Sequence, residues 1–183
     1  WTKGKNHRSA PVQVENTGRS GFTVLQPTAL GIQFTNRLSR AVLARRFNLG
    51  NGSGVALGDV NNDGRCDIYF CRLEGENELY LNQGNWRFQK ARAASAPCRN
   101  YFTRGAAFAD IDGDADLDLL LTTFMKGTLC FLNDGKGRFT DNTGVSGLGG
   151  KTSGTTLALG DVDLDGDLDL YVANFAELSL LRD

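Results

Sequence analysis

The hydrophobic and polar positions of this chain form a pattern that repeats every 51 residues from residue 54 onward. Each unit has a stretch of small and apolar residues, an acidic stretch of nine residues, two further apolar stretches, an Asn-x-Gly turn and a short final stretch. Short apolar or alternating runs between Gly- and Asn-containing turns predict β-strands. The predicted strands are 54–58, 68–72, 78–81 and 86–89 in the first unit, 105–109, 119–123, 128–132 and 138–140 in the second, and 155–160 and 170–173 in the third. The third unit ends over 177–181, where its next strand is expected to begin.

The part of the chain before this repeat has a different character. Residues 1–30 are mostly polar and lack a hydrophobic period, which predicts an arm or linker. Residues 31–36 have the pattern of one strand, and residues 37–47 fit a short amphipathic helix. The apolar face of that helix is predicted to consist of Leu38, Ala41 and Val42.

Four arginines make this predicted helix basic, namely Arg37, Arg40, Arg45 and Arg46. A nucleic-acid-binding surface of this kind would carry aromatic residues between its basic ones, and none are present. We therefore interpret the arginines as a solvated basic face and expect no nucleic-acid partner.

Repeats of this length, each forming a four-stranded antiparallel sheet, are typical of a β-propeller. One small sheet cannot bury both of its faces, so the units are expected to stack as blades. The predicted fold is all-β: a partial propeller with two whole blades and parts of two others. The expected divisions are an arm over 1–30, the end of a preceding blade over 31–53, blades over 54–104 and 105–153, and half a blade over 154–183. A ring of 4–8 blades needs roughly 200–400 residues, so we expect a segment of a larger protein or one that partner chains complete.

The acidic stretches are three loops of identical length, which we call loop 1 (59–67), loop 2 (110–118) and loop 3 (161–169). Oxygen-bearing side chains stand at positions 1, 3, 5 and 9 of each loop. Alternate side chains of a tight turn converge on one point, where like charges repel unless a cation lies between them. An all-oxygen ligand set favours a hard cation and points to Ca²⁺. An EF-hand would instead need a bidentate Glu at position 12, where this chain has Phe70, Leu121 and Val172.

The charge distribution supports a metal rather than a turn-forming role for these aspartates. The three loops hold 13 of the 21 acidic residues and one of the 20 Lys and Arg, so the rest of the chain carries 8 acids against 19 Lys and Arg. Asp is also a common turn former. This concentration of carboxylates in three short windows is nevertheless more typical of metal sites.

The loops, the preceding Gly-x-x-x-Gly/Ala and the later Asn-x-Gly-x-x-x-Phe resemble the FG-GAP/VCBS repeat family. That family forms the calcium-binding blades of integrin α-subunits and of large secreted bacterial proteins, and the resemblance covers about residues 31–183. It implies that side chains at positions 1, 3, 5 and 9 and the backbone oxygen of position 7 hold Ca²⁺. The implied ligands are Asp59, Asn61, Asp63, Arg65 (carbonyl) and Asp67 in loop 1; Asp110, Asp112, Asp114, Asp116 (carbonyl) and Asp118 in loop 2; and Asp161, Asp163, Asp165, Asp167 (carbonyl) and Asp169 in loop 3.

Two loops depart from the common pattern. Loop 1 has Asn61 and Arg65, so it carries fewer ligand charges and is predicted to bind Ca²⁺ most weakly. Loop 2 has Ala115 at position 6, where the others have Gly. If position 6 requires a positive φ, alanine costs about 1 kcal/mol there, which the additional carboxylate of Asp116 would offset.

The chain has four cysteines, and an extracellular calcium-binding protein favours disulfides over free thiols. Three pairings are possible. From the alternating strand directions of a blade, we propose Cys71–Cys98 and Cys66–Cys130, of which the second would bridge two blades.

The composition argues against several classes of protein. The single histidine, His7, lies in the polar arm, so no Ser-His-Asp or Cys-His set exists inside the repeats. There is no Gly-rich phosphate loop before a helix and no zinc-type Cys/His cluster. No apolar run approaches the ~18 residues of a membrane span, so membrane insertion is not expected.

We expect a non-enzymatic, secreted or cell-surface scaffold of adhesion type, in which three structural Ca²⁺ ions support a surface for a protein or glycan partner. The alternative is a self-assembling structural subunit, such as a filament or surface-layer component, which neighbouring copies complete. Some members of the broader family are polysaccharide lyases that use groups at the propeller centre. This sequence does not supply that constellation, so a lyase-like enzyme is the third interpretation.

Overall fold

A computed structural model describes residues 2–3, 8–9, 22–45, 52–91, 98 and 101–177. The strands in this part of the chain are β1 (Thr2–Lys3), β2 (Arg8–Ser9), β3 (Val55–Gly58), β4 (Asp67–Phe70), β5 (Glu78–Asn82), β6 (Phe88–Lys90), β7 (Thr103–Ala109), β8 (Asp118–Thr123), β9 (Thr128–Asn133), β10 (Phe139–Asp141), β11 (Thr152–Gly160) and β12 (Asp169–Glu177). The helices are a 3₁₀ helix (Pro27–Leu30), α1 (Arg40–Arg45) and α2 (Thr143–Ser146).

The repeat units form antiparallel sheets in which each strand pairs with the next one along the chain. Sheet 1 has the order β3-β4-β5-β6, sheet 2 has β7-β8-β9-β10, and sheet 3 has β11-β12. The strand bounds in sheets 1 and 2 differ from the predicted ones by at most two residues. The acidic loop leaves its sheet at the same register each time, since Gly58 pairs with Asp67, Ala109 with Asp118 and Gly160 with Asp169. The predicted all-β class and four-stranded antiparallel units are therefore confirmed.

Sheet 3 has longer strands than the sequence pattern predicts. Strand β11 begins three residues before the predicted 155, and β12 continues to Glu177 instead of ending at 173. The two strands pair over almost their full length, which keeps residues 174–177 extended. Most of the strand expected over 177–181 lies outside the described residues.

The core lies between sheets 1 and 2, which pack face to face. Alternate residues of sheet 1 meet alternate residues of the opposing face of sheet 2, as the two-residue period of a strand requires. The buried members of this cluster are Ala56, Val60, Tyr69, Cys71, Leu79, Cys98, Leu119, Leu121, Leu129 and Phe131. On the other side of sheet 2, β11 packs against β7 and β8. The described sheets thus form an open stack in chain order.

The first strands of neighbouring sheets approach each other closely. A Cβ atom at Gly54 would lie 2.8 Å from the carbonyl oxygen of Arg104 in sheet 2, and one at Gly105 would lie 3.3 Å from the carbonyl oxygen of Thr155 in sheet 3. Side chains at these two positions would force the sheets apart. The glycines that begin the units are therefore required by inter-sheet packing.

The predicted strand over 31–36 is wrong. Gly31 has φ +84°, and a Cβ there would clash with the carbonyl oxygen of Phe88, so the chain turns sharply against sheet 1 after the 3₁₀ helix. Residues 32–36 then cross the outer face of sheet 1 without forming a strand. Phe34 stacks on Phe70 with ring centroids 4.7 Å apart. The segment is thus held by side-chain contacts with the face of the sheet.

A charged group lies beneath this segment. The carboxylate of Glu78, which is 7% exposed, accepts a hydrogen bond from the Tyr80 hydroxyl (2.7 Å) and forms ion pairs with Arg72 and Lys90. The Arg72 guanidinium also lies 4.9 Å from the centre of the Phe34 ring. Burial alone would raise the pKa of Glu78, but its hydrogen bonds to Tyr80 and Lys90 and the nearby positive charges outweigh burial and lower it.

The predicted helix over 37–47 is present but begins later, at Arg40. Ser39 precedes it, and its hydroxyl accepts a hydrogen bond from the backbone N–H of Val42 (3.3 Å), as an N-cap residue does. Leu38 and Val42 pack on a second apolar cluster of Leu73 and Phe124. Ala41, the third residue of the predicted apolar face, is exposed. Residues 46–47 lie outside the described residues. The short α2 was not predicted.

Candidate metal centres

The three acidic loops share one backbone conformation. Two positions in each loop adopt a left-handed conformation, which folds nine residues into a tight turn and is unfavourable for residues with a Cβ. At position 6 these are Gly64 (φ 81°), Ala115 (φ 71°) and Gly166 (φ 99°); at position 4 they are Asn62 (φ 58°), Gly113 (φ 80°) and Leu164 (φ 64°). The requirement at position 6 was predicted. The one at position 4 was missed because Asn, Gly and Leu show no common residue type.

The first carboxylate of each loop is fixed by the backbone of the same loop. In every case its Oδ2 accepts the N–H of the residue at position 6. The pairs are Asp59 with Gly64 (2.7 Å), Asp110 with Ala115 (3.0 Å) and Asp161 with Gly166 (3.2 Å). This bond orients the carboxylate toward the interior of the turn.

The last carboxylate ties the loop to the sheet. Its Oδ2 accepts the N–H of position 2, at 3.1 Å in Asp67, 2.9 Å in Asp118 and 2.9 Å in Asp169. In loops 1 and 2, Oδ1 accepts the N–H of the asparagine that ends the third strand, Asn82 (2.7 Å) or Asn133 (2.8 Å). The position 9 aspartate therefore joins the loop, the second strand and the third strand.

Asn133 also connects two loops, a role that the sequence analysis missed by reading Asn-x-Gly only as a turn. Its Nδ2 donates to the carbonyl oxygen of Leu117 in loop 2 (3.1 Å) and to that of Val60 in loop 1 (2.8 Å). Asn82 donates to the Cys66 carbonyl of loop 1 (3.0 Å), which is the equivalent of the bond from Asn133 to Leu117. The recurrence of asparagine 51 residues apart was the available signal.

Carboxylates converge in two of the loops. In loop 2, one oxygen each from Asp110, Asp112 and Asp114 lies within 4.8 Å of the others. In loop 3 the same holds for Asp161, Asp163 and Asp169. The predicted ligands Asp118 and Asp165 lie outside these groups; both oxygens of Asp118 accept backbone N–H groups, and Asp165 accepts the N–H of Asp167 (2.9 Å).

The residues of loop 3 fit a cation. Asp161 Oδ1 is a buried atom that has no hydrogen-bond partner within the described part of the chain, and Asp161 is a member of the converging group. A buried carboxylate oxygen without a partner is unfavourable. A hard cation among these oxygens would satisfy it, and the all-oxygen donor set is the one that Ca²⁺ prefers.

The electrostatics of the last carboxylate point the same way. Burial raises the pKa of Asp67 and of Asp118 above the usual value; their two backbone hydrogen bonds oppose this, and the neighbouring loop carboxylates raise it further. A positive charge in the loop would lower both pKa values. The position 9 carboxylates of loops 1 and 2 therefore carry an electrostatic cost that nearby positive charge would reduce.

Loop 1 differs from the other two. Arg65 Nη2 lies 2.7 Å from Asp63 Oδ2, and Arg65 Nε donates to the Asn82 carbonyl (2.9 Å). Within the described part of the chain, the carboxylates of Asp59, Asp63 and Asp67 do not form a converging group. One predicted ligand of loop 1, Asp63, is thus already paired with a positively charged side chain of the protein itself.

All four cysteines are free thiols in this structure, which contains neither predicted disulfide. The pairing Cys66–Cys130 is wrong. Cys130 pairs with Leu120 across β8 and β9 and lies outside the cluster between sheets 1 and 2, so it faces away from the sheet that carries Cys66. Cys71 and Cys98 belong to that one cluster, and burial raises the pKa of each to about 12. Their pairing stays a prediction.

Comparisons with known proteins bear on the repeat. The FG-GAP-like repeat family matches residues 59–121 and 116–172, which together span all three loops. Mouse (Mus musculus) cartilage acidic protein 1 is 28% identical over 151 residues, which cover 76% of this chain and 23% of the relative. This chain therefore spans about a quarter of the length of that curated relative. Among the described residues, no helix is both long and apolar enough to span a membrane.

Proposed function

We propose a function from the fact that this chain belongs to the FG-GAP-like repeat family. In this proposal, the chain is a calcium-binding, extracellular β-propeller segment of adhesion type, whose sheets are blades and whose surface binds a protein or glycan partner. The observation that carries the calcium assignment is the buried, unpartnered Asp161 Oδ1 within the converging carboxylates of loop 3. The similarity to a protein named for cartilage supports the extracellular location.

The calcium has a structural role in this proposal. Each loop joins the first two strands of its sheet, and in loop 2 the position 9 aspartate also holds the third strand through Asn133. When bound, Ca²⁺ supplies the positive charge that cancels the repulsion between the carboxylates. The chain's own residues hold the strand ends together, and the ion stabilises the turn that positions them.

We propose no enzymatic role. In this proposal the carboxylates of the candidate sites are ligands of Ca²⁺, so they are not available as general bases. The single histidine of the sequence, His7, lies outside the described residues.

Sheet 3 supports a second candidate function, assembly with copies of the chain. Within the described residues the outer edge of β12 pairs with no strand, whereas sheets 1 and 2 each have four strands. Tyr171 and Phe175 on this strand are 73% and 56% exposed. An open edge with exposed aromatic residues favours strand addition from another molecule or from further repeats of a longer chain. Light scattering in Ca²⁺ separates these cases, because self-assembly predicts a particle mass that rises with protein concentration.

Titration calorimetry of Ca²⁺ into the metal-free chain tests the calcium assignment. We expect saturable binding of Ca²⁺ and little binding of Mg²⁺, which requires a smaller octahedral site. Asp163→Asn should weaken the binding at loop 3 at least about tenfold, since it removes a ligand charge. Asp141→Asn, which changes an exposed carboxylate outside the loops, is the matched control and should bind as the unmodified chain does. Absence of Ca²⁺ binding would refute the proposal.

A further inference from the structure

We infer that the guanidinium of Arg65 occupies the place of a metal ion in loop 1, so that the chain binds two Ca²⁺ ions, in loops 2 and 3, rather than three. This inference rests on the proposed function for loops 2 and 3. It departs from the simple expectation that each copy of the repeat holds one ion.

The carboxylates of loop 1 are already saturated by donors of the chain. Asp63 Oδ1 accepts the N–H of Arg65 (3.0 Å), and its Oδ2 accepts from Arg65 Nη2 (2.7 Å) and from Asn61 Nδ2 (3.2 Å). Both oxygens of Asp59 accept backbone N–H groups, from Asp63 (3.1 Å) and Gly64 (2.7 Å). Loop 1 therefore has no counterpart of the unpartnered oxygen found in loop 3.

The arginine is held in this position from the opposite side. Its Nε donates to the carbonyl oxygen of Asn82 at the end of β5, and the N–H of the same asparagine donates to Asp67. The guanidinium thus links the loop to the third strand. In loop 2, Asn133 ties the loop to the third strand without a cationic side chain.

The net charge of the loops separates them further. Loop 1 contains three aspartates and one arginine, for a formal charge of −2, whereas loops 2 and 3 contain five aspartates each, for −5. Position 7 accounts for two of the three units, because Arg65 stands where the others have Asp116 and Asp167. Calcium affinity follows the number of ligand charges, which is three in loop 1 and four in each of the other loops, and the position 7 side chains add to this electrostatic difference without being ligands. A Ca²⁺ concentration that fills loops 2 and 3 should therefore leave loop 1 without metal.

A metal-independent loop 1 has a use in the fold, because it supports loop 2. Asn62 Nδ2 donates to Asp116 Oδ1 (2.6 Å), and the Val60 carbonyl accepts from Asn133 (2.8 Å). Loop 1 can present both groups before any ion binds. Its internal ion pair is exposed and contributes little to stability by itself.

Native mass spectrometry of the full chain at about 1 mM Ca²⁺, within the range of extracellular calcium modules, tests the inference. We expect two ions on the unmodified chain and three on Arg65→Asp, which gives loop 1 the position 7 residue of the other loops. Arg138→Asp is the matched control, since Arg138 is also an exposed arginine paired with an aspartate, and it should retain two ions. Arg65→Asn, with circular dichroism to establish folding, provides a milder variant that should also gain the third ion.

The possible results are distinguishable. Three ions on the unmodified chain, or two on both folded Arg65 variants, would overturn the role of Arg65 and leave the proposed calcium function intact. No ions on any variant would overturn the proposed function together with the inference that depends on it.

Discussion

Replacing Ala115 by glycine should stabilise the protein, because Ala115 carries a backbone strain at a position where the other two loops have glycine. Its φ is 71°, close to the values of Gly64 and Gly166 in the equivalent positions. The side chain is exposed, so removing its methyl group leaves no cavity. The substitution thus isolates the cost of a left-handed backbone in a residue with a Cβ.

The expected magnitude follows from two opposing contributions. A left-handed conformation costs an L-residue about 1–2 kcal/mol relative to glycine. Glycine in turn loses about 0.5–1 kcal/mol more conformational entropy on folding. The net stabilisation by Ala115→Gly should be about 0.5–1 kcal/mol, which raises the Tm by roughly 1–4 °C in a domain of this size.

The reverse substitution at the equivalent position of loop 3, Gly166→Ala, provides the control. A Cβ at Gly166 would have no heavy atom within 4 Å, so Gly166→Ala changes the backbone preference without a clash. It should destabilise the protein by a similar amount, about 0.5–1 kcal/mol. Both variants are to be compared by urea unfolding, in Ca²⁺ and in chelator, since the strain is present with or without metal.

A stabilising Gly166→Ala, or a destabilising Ala115→Gly, would refute the reasoning. Either result would mean that contacts of the alanine methyl, rather than the left-handed backbone, determine the residue at position 6.

Three further predictions concern other parts of the molecule. Asn133→Ala should destabilise by about 2–3 kcal/mol in urea unfolding, because it leaves two carbonyl acceptors without their donor, and a loss below about 0.5 kcal/mol would contradict the inter-loop link. Because the pKa of Glu78 lies below its usual 4.5, its contribution to stability is present above about pH 4.5 and is lost as the pH falls through the folded pKa. The stability difference between the unmodified chain and Glu78→Gln should therefore shrink as the pH is lowered from about 7 to about 3, and a constant difference would show that ionisation of Glu78 is not involved. If Cys71 and Cys98 pair in an oxidising compartment, the protein unfolded without reductant should titrate two thiols, whereas four thiols would exclude the pairing.

The sequence predicted the repeating sheets well because their signal is local and is repeated. The alternation of apolar residues and the Asn-x-Gly turns recur at a fixed spacing, so each unit supports the interpretation of the next. The positive φ of Ala115 could also be predicted, since glycine occupies the same position in the other two loops.

The contacts that join separate units could not be read in this way. The bond from Asn133 to the carbonyl of Val60 spans 73 residues, and nothing in the residue types marks its partner. Residues 32–36 have a strand-like pattern, yet the close approach of Gly31 to Phe88 turns them across the face of sheet 1. The ion pair of Arg65 was also missed, because the expected role of position 7 involved only its backbone oxygen.

Thermal unfolding in Ca²⁺, in Mg²⁺ and in chelator tests the calcium account most directly. An ion at 100 times its dissociation constant stabilises the folded state by about 2.7 kcal/mol per site, so each occupied loop should raise the Tm by roughly 5–10 °C. We predict that Ca²⁺ restores the Tm of the chelator-treated protein and that Mg²⁺ does not. Identical melting curves in all three conditions would contradict the claim that these loops are structural calcium sites.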